Sequence, residues 1–148
     1  MSYVMLNPLF VYKNLMDKER EYIKSIEYRE EMEKKLLDDF WFMKDDDGTC
    51  FPMEWGNGWL AEFYELCRQL TTEVSEDFKW AQLKEKYGGA RCYYWGHITP
   101  YGEELICQFE IDMQSVCEVC GEPSTLRTDG WWMSLCDQCY KENLKEEE

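Results

Sequence analysis

The chain has 148 residues, 45% hydrophobic and 16% aromatic, enough to bury one core and too few for more than a domain with an appendage. Its formal net charge of −15 argues against ordinary duplex or single-strand binding, because displacing counterions from phosphates takes cations. No apolar run is long enough to span a bilayer, and the first ten residues show no basic stretch followed by an apolar one, so no secretory leader is expected.

The elements follow in chain order. Met1 to Lys13 is a short mixed lead containing Pro8. From Asn14 to about Lys44 the chain is dense in charge and free of Gly and Pro. Ile23, Ile26, Leu36, Leu37, Phe40 and Trp41 fall mostly at helical spacing, and Glu30–Lys34 and Glu31–Lys35 are favourable i, i+4 pairs. One long helix is expected, its apolar stripe thin near Arg20 and Arg29, where a solvated or partner-facing surface is expected. Asp45-Asp46-Asp47-Gly48 ends it without the alternating ligands and distal Glu of a calcium loop. Gly48 to Gly58 is an irregular connector in which Asn57 is positioned to cap the next helix. Trp59, Leu60, Phe63, Leu66, Cys67 and Leu70 then make a clean helical face through about Thr72.

Asp77 to Gly96 reads as a β-hairpin turning at Gly88-Gly89. Thr99 caps a further helix that opens on Pro100 and carries Leu105, Ile106, Phe109, Met113 and Val116. Cys67 and Cys107 are expected in the core. The chain divides into an N-terminal charged helical segment, 1–47, and an α+β zinc-binding domain, 48–148. The fold class is α+β: helices packed on a β-hairpin, with a C-terminal four-cysteine, treble-clef-like zinc module.

That module rests on Cys117-x2-Cys120 and Cys136-x2-Cys139, with fifteen residues between the pairs. Two C-x2-C pairs at this separation are the spacing of a tetrathiolate zinc site. Gly121 sits where a zinc knuckle needs positive φ. Thr125 to Arg127 and Trp131 to Leu135 flank an Asp129-Gly130 turn, and Asp137 to Lys145 can be helical. A closed thiolate shell leaves no open position for substrate, so structural Zn2+ is expected. The same spacing points to metal rather than disulfides, and hence to a reducing, cytoplasmic compartment. Arg127 is expected to answer the negative thiolate centre. Of Trp131 and Trp132, one is expected to pack over the knuckle. No catalytic motif is present, and no catalytic residues are named.

Side chains alternate across a strand. With the turn at Gly88-Gly89, Lys86 pairs Arg91, Lys84 pairs Tyr93 and Gln82 pairs Trp95. One face then collects Trp80, Gln82, Lys84, Lys86, Arg91, Tyr93 and Trp95. Cations gathered beside flat rings suit an anionic, ring-bearing ligand such as a nucleotide. Gln82, Lys84, Lys86, Arg91, Tyr93 and Trp95 are therefore the candidate ligand-binding residues. The other reading is that these cations pair with acids on neighbouring helices.

From about Gly58 to Cys139 the chain resembles a family of small, mostly uncharacterised zinc-ribbon-like proteins of bacteriophages and prophage-carrying bacteria. The likeness rests on Gly58-Trp59 opening a helix that ends near Leu66-Cys67. It continues through Gln82-Leu83-Lys84-Glu85-Lys86-Tyr87-Gly88-Gly89-Ala90-Arg91 and Tyr93, then Cys117-x-x-Cys120-Gly121-x-Pro123, Arg127, Gly130-Trp131 and Leu135-Cys136-Asp137. Cys139 stands where that family has a histidine, and Ala90 and Cys92 where bulkier apolar residues are usual. The resemblance implies a phage-type, host-directed role. The leading expectation is a non-enzymatic counter-defence inhibitor that sequesters a host ligand, such as a nucleotide immune signal. The alternatives are an acidic protein–protein inhibitor that mimics nucleic acid in the basic groove of a host nuclease or CRISPR effector, and a nucleotide hydrolase with structural zinc. Expected partners are thus a nucleotide-type small molecule or a host protein, with self-association open and neither duplex nucleic acid nor membrane.

Overall fold

The computed structural model describes residues 17–146; the lead and the start of the expected first helix lie outside the described residues. The charged N-terminal stretch is two helices rather than one. α1 covers 17–23 and α2 covers Ile26–Asp39. Ser25 makes the break. Its hydroxyl accepts the Tyr28 N–H at 3.1 Å and donates to the Tyr22 carbonyl at 2.6 Å, which caps α2 in the manner of an N-cap serine. The Asn57 amide donates to the carbonyls of Ile23 and Ser25 at 2.7 and 2.9 Å. Asn57 therefore fastens the N-terminal break instead of capping the helix that follows it. Nor is the thin stretch of the stripe solvated. Arg20 is buried, and Arg29 donates to the carbonyls of Met53 and Trp55 at 2.6 and 2.7 Å.

α2 ends at Phe40, and one 3-10 turn, Trp41–Met43, carries Phe42 and Met43 inward. Leu36, Phe40, Phe42 and Met43 join one core with α3 (Leu60–Leu70), the antiparallel ribbon β1 (Lys79–Lys86) and β2 (Gly89–Trp95), and α4 (Pro100–Asp112). The middle of that core is aromatic. Phe63 lies 5.6 Å from Trp80, 5.8 Å from Phe109 and 5.1 Å from Trp55, and Phe42 packs edge-on against Phe78 at 5.5 Å. Offset and edge contacts of this kind add to the burial of large rings. Thr99 caps α4, accepting the Gly102 N–H at 3.1 Å. Cys67 is in the core, but Cys107 is exposed on α4.

A second, smaller sheet pairs β3 (Thr125–Arg127) with β4 (Met133–Leu135) and leads into α5 (Asp137–Glu146). The expected strand from Trp131 begins two residues later, and the connection is a loop over 128–132. This module has its own small core, made of Cys117, Cys120, Leu135 and Cys139. Backbone contacts join it to the main body. The Gly58 N–H donates to the Glu118 carbonyl at 2.8 Å, and the Trp59 indole N–H to the Val116 carbonyl at 2.8 Å.

Gly58 presses so closely on the knuckle that a Cβ there would overlap the Cys117 carbonyl and come within 2.6 Å of the Gly121 nitrogen. Gly58→Ala should cost about 3 kcal/mol or more, a fall of roughly 10 °C in Tm. Gly48→Ala, at φ 85 with nothing within 4 Å, should cost only about 1–2 kcal/mol for its left-handed backbone. Equal melting curves for the two variants would contradict the close packing.

Glu62 on α3 carries a buried Oε2 with no hydrogen-bond partner among the described residues, and burial raises its carboxyl above the ordinary value. A carboxyl that holds its proton more tightly when folded contributes stability below the unfolded pKa, and loses it as pH rises through the folded value. Glu62→Gln should therefore raise Tm at neutral pH and change it little in mild acid. A gain that is the same at both would contradict this account.

Candidate metal centre and ribbon face

The two C-x2-C pairs converge. The Sγ atoms of Cys117, Cys120, Cys136 and Cys139 all lie within 4.8 Å of one another, with Cys120 and Cys136 at 3.6 Å. Four sulfurs bound tetrahedrally at about 2.3 Å from one ion stand about 3.8 Å apart, so the donor set fits a single cation. A disulfide needs about 2.05 Å, and all four cysteines are free.

Local structure explains the convergence. Gly121, at φ 81, turns the chain after the first pair, and its N–H returns to the Cys117 carbonyl at 2.9 Å. β4 delivers Cys136 to the start of α5, where the positive end of the helix dipole favours a thiolate. One turn on, Cys139 donates its backbone N–H to the Cys136 sulfur at 3.4 Å. A hydrogen bond from Cys120 lowers the pKa of the Cys117 thiol, whereas burial raises that of Cys139. A cation among them would displace the remaining protons, so metal uptake would release protons.

The sequence pointed to Arg127 as the charge facing this centre. In the structure Arg127 pairs with Asp137 at 2.6 Å, donates to the Leu135 carbonyl at 3.1 Å and lies over the Tyr140 ring. The residue that meets the sulfurs is Arg20, from α1. It is 6% exposed and donates to the Cys139 sulfur at 2.9 Å and to Glu142 at 3.1 Å. Lys24 adds a second contact to Glu142 at 3.3 Å. Nothing local marks Arg20; the signal was only a charged residue interrupting the apolar stripe of a helix. Neither tryptophan covers the knuckle. Trp131 is 84% exposed, and Trp132, half exposed, meets the Tyr87 ring edge-on at 6.2 Å.

The ribbon turns one residue earlier than expected. Lys86 pairs Gly89, Lys84 pairs Arg91 and Gln82 pairs Tyr93, so the central turn residues are Tyr87 and Gly88, both at positive φ. Gly89 serves a different need. A Cβ there would sit 3.3 Å from the Arg91 guanidinium and 3.3 Å from the Gln114 side chain. The register differs from the expected one by two residues, which preserves the faces. A bulge at Ala81 then turns Trp80 into the core, so Trp80 leaves the expected face.

Gln82, Lys84, Lys86, Arg91, Tyr93 and Trp95 remain on one face, joined by Lys79 opposite Trp95. The Lys84 ammonium lies 5.8 Å from the Tyr93 ring centre, and that of Lys86 lies 5.5 Å from the Tyr87 ring. Among the described residues, none of the ion pairs involves Lys79, Lys84, Lys86 or Arg91. Acids bound the strip rather than neutralise it. The backbone of Glu54 pairs with the outer edge of β1 beside Lys84, and Asp45 and Asp46 line a hollow of about 170 Å³ with Lys79 and Trp95. Lys79 and Gln114 were missed in the sequence, the first because an unseen bulge sets its face, the second because it is distant in the chain.

Beyond β2, His97 pairs with Asp77 at 2.8 Å, and Asp77 also accepts the Ser75 hydroxyl. Ser75 thus bonds the carboxylate rather than the ring, which is not the order of a serine–histidine–acid relay. No helix of the described residues is long and apolar enough to cross a membrane. Comparison with family models, curated proteins and solved structures finds no match for the chain.

Groups that hydrogen-bond metal ligands typically tune metal affinity about 10–100-fold. Arg20→Ala should therefore speed metal transfer to a chelator by about that factor, with the far-ultraviolet circular dichroism unchanged. Transfer at the parental rate would show the Arg20–Cys139 contact to be immaterial.

Proposed function

We propose that the chain is a non-enzymatic binding protein. Structural zinc holds its ribbon face to an anionic, ring-bearing ligand, and its role is to sequester a host nucleotide-type signal in counter-defence. The observation that carries this reading is the shared face of Lys84, Lys86 and Arg91, held beside Tyr93 and Trp95 with none of the three cations ion-paired among the described residues. Cations left beside one another in a protein of net charge −15 repel, and a bound phosphate relieves that repulsion while exposed rings stack on a base. A tetrathiolate set favours zinc or an iron–sulfur centre, and a closed four-sulfur shell supports a scaffolding part for the metal. The counter-defence setting rests on the resemblance to phage proteins alone.

The test is incubation with mixed nucleotides and cyclic nucleotides, then desalting, heat release and chromatography. Unaltered nucleotide should be recovered from the parent protein. Arg91→Ala should lose at least about ten-fold of the retained ligand, as expected for removing a charge-assisted contact, while keeping one zinc per chain. A chemically altered product would identify a hydrolase instead. Retention unaffected by Arg91→Ala would remove the ribbon face from the account.

A further inference from the structure

The ribbon face does not stop at the strands. From Tyr93 it runs through Lys84, across the Lys84–Arg91 pair to Lys86, on to the Tyr87 ring at 5.5 Å, and from there to Trp132 at 6.2 Å. Rings therefore stand at both ends, with cations between them. Trp95 and Tyr93 mark one end, and Tyr87 and Trp132 the other; all four are exposed. The eight residues of β1 make the strip about 25 Å long at about 3.3 Å per residue.

Two features show that the far end is built. Tyr87 is the one non-glycine among the described residues with positive φ, at 55°, a backbone that costs about 1–2 kcal/mol and lifts its ring out of the strand. The zinc module also holds the turn in place. Ser134 donates to the Gly88 carbonyl, and the Leu126 side chain packs against Gly88 so closely that a Cβ there would overlap it. The module thus fixes the position of the turn beside its own Trp132.

A mononucleotide presents one base and one phosphate group, and would use one end of this strip. An extended chain of nucleotides presents a repeating phosphate to the middle and bases to both ends. We infer that the ligand is a linear single-stranded oligonucleotide, lying along the ribbon from Trp95 to Trp132. At the roughly 3.4 Å per charge of a stacked strand, a strip of about 25 Å holds up to about seven nucleotides, and fewer if the strand is stretched, within the site sizes typical of single-strand binders. The net charge of −15 does not forbid this, because exposed charges further than about 8 Å away are largely screened at physiological salt, and the nearer acids, Glu54, Asp45 and Asp46, stand at the borders of the strip beside Lys84 and Lys79. This inference rests on the ribbon reading proposed above.

The test measures fluorescence anisotropy of labelled single strands of two, four and eight nucleotides, as RNA and as DNA, with the full metal-loaded chain. Affinity should rise at least ten-fold from two to eight. Trp132→Ala should weaken the eight-mer about ten-fold, as expected for losing one stacked base, and leave the dinucleotide unchanged. Arg91→Ala should weaken every length. Equal affinity for two and eight nucleotides, a cyclic dinucleotide binding as tightly as the eight-mer, or a Trp132→Ala variant that binds like the parent would overturn the extended strand and leave the ribbon reading standing. No binding at any length would overturn the extended strand, and with no nucleotide retained in the desalting test either it would sink both, as would binding that Arg91→Ala leaves intact throughout.

Discussion

The structure depends on how the four-cysteine module grips the rest of the chain. Its sulfurs close around one point, and the module meets three separate segments. Gly58 seats against the knuckle, Ser134 and Leu126 hold the ribbon turn at Gly88, and Arg20 reaches Cys139 from α1. These contacts join residues far apart in the chain, and the module's small core is separate from the aromatic one. A metal ion would therefore serve as a tie. It would order a turn, a loop entrance and a helix that the main core alone leaves unfastened, much as structural zinc contributes folding energy to domains with little core of their own.

This arrangement accounts for the placing of charge. Several cations of the chain are used internally. Arg29 satisfies the carbonyls of the connector, Arg20 and Lys24 meet Glu142, and Arg127 meets Asp137. The ribbon cations form no ion pair among the described residues, although Arg91 also donates to the Ala90 carbonyl at 2.9 Å. Glu54 and the Asp45–Asp46 pair lie at the borders of their face, so a locally positive strip survives in a strongly acidic protein. A bland, solubilising acidity and a cationic binding face are thus compatible. The first covers the helices, and the second is confined to one side of one ribbon.

Much of this was legible wherever the determinants are local. The spacing of Cys117, Cys120, Cys136 and Cys139 located the four-cysteine cluster, and Trp59 to Leu70 declared α3 by its apolar period. The ribbon faces came through a misplaced turn because an error of two residues keeps side-chain parity. What could not be read depends on partners far along the chain. The break at Ser25 is held by Asn57, and the contact to Cys139 comes from Arg20, 119 residues earlier. The bulge at Ala81 had a faint signal. Trp80 and Leu83 are three residues apart, so strict alternation cannot bury both, and an inserted residue can. Gly88-Gly89 looked like the turn because paired glycines suit positive φ, but Gly89 is needed for the room it gives Arg91 and Gln114.

The most direct test of the tie is hydrogen exchange of the whole chain, read peptide by peptide before and after removal of its metal by a chelator. Protection should fall in the 117–139 module, at Gly56 to Trp59 and at the Tyr87–Gly88 turn, while α3 and α4 keep theirs, because their core is separate. Unchanged exchange at the turn and at Gly58, with the module itself released, would contradict the account.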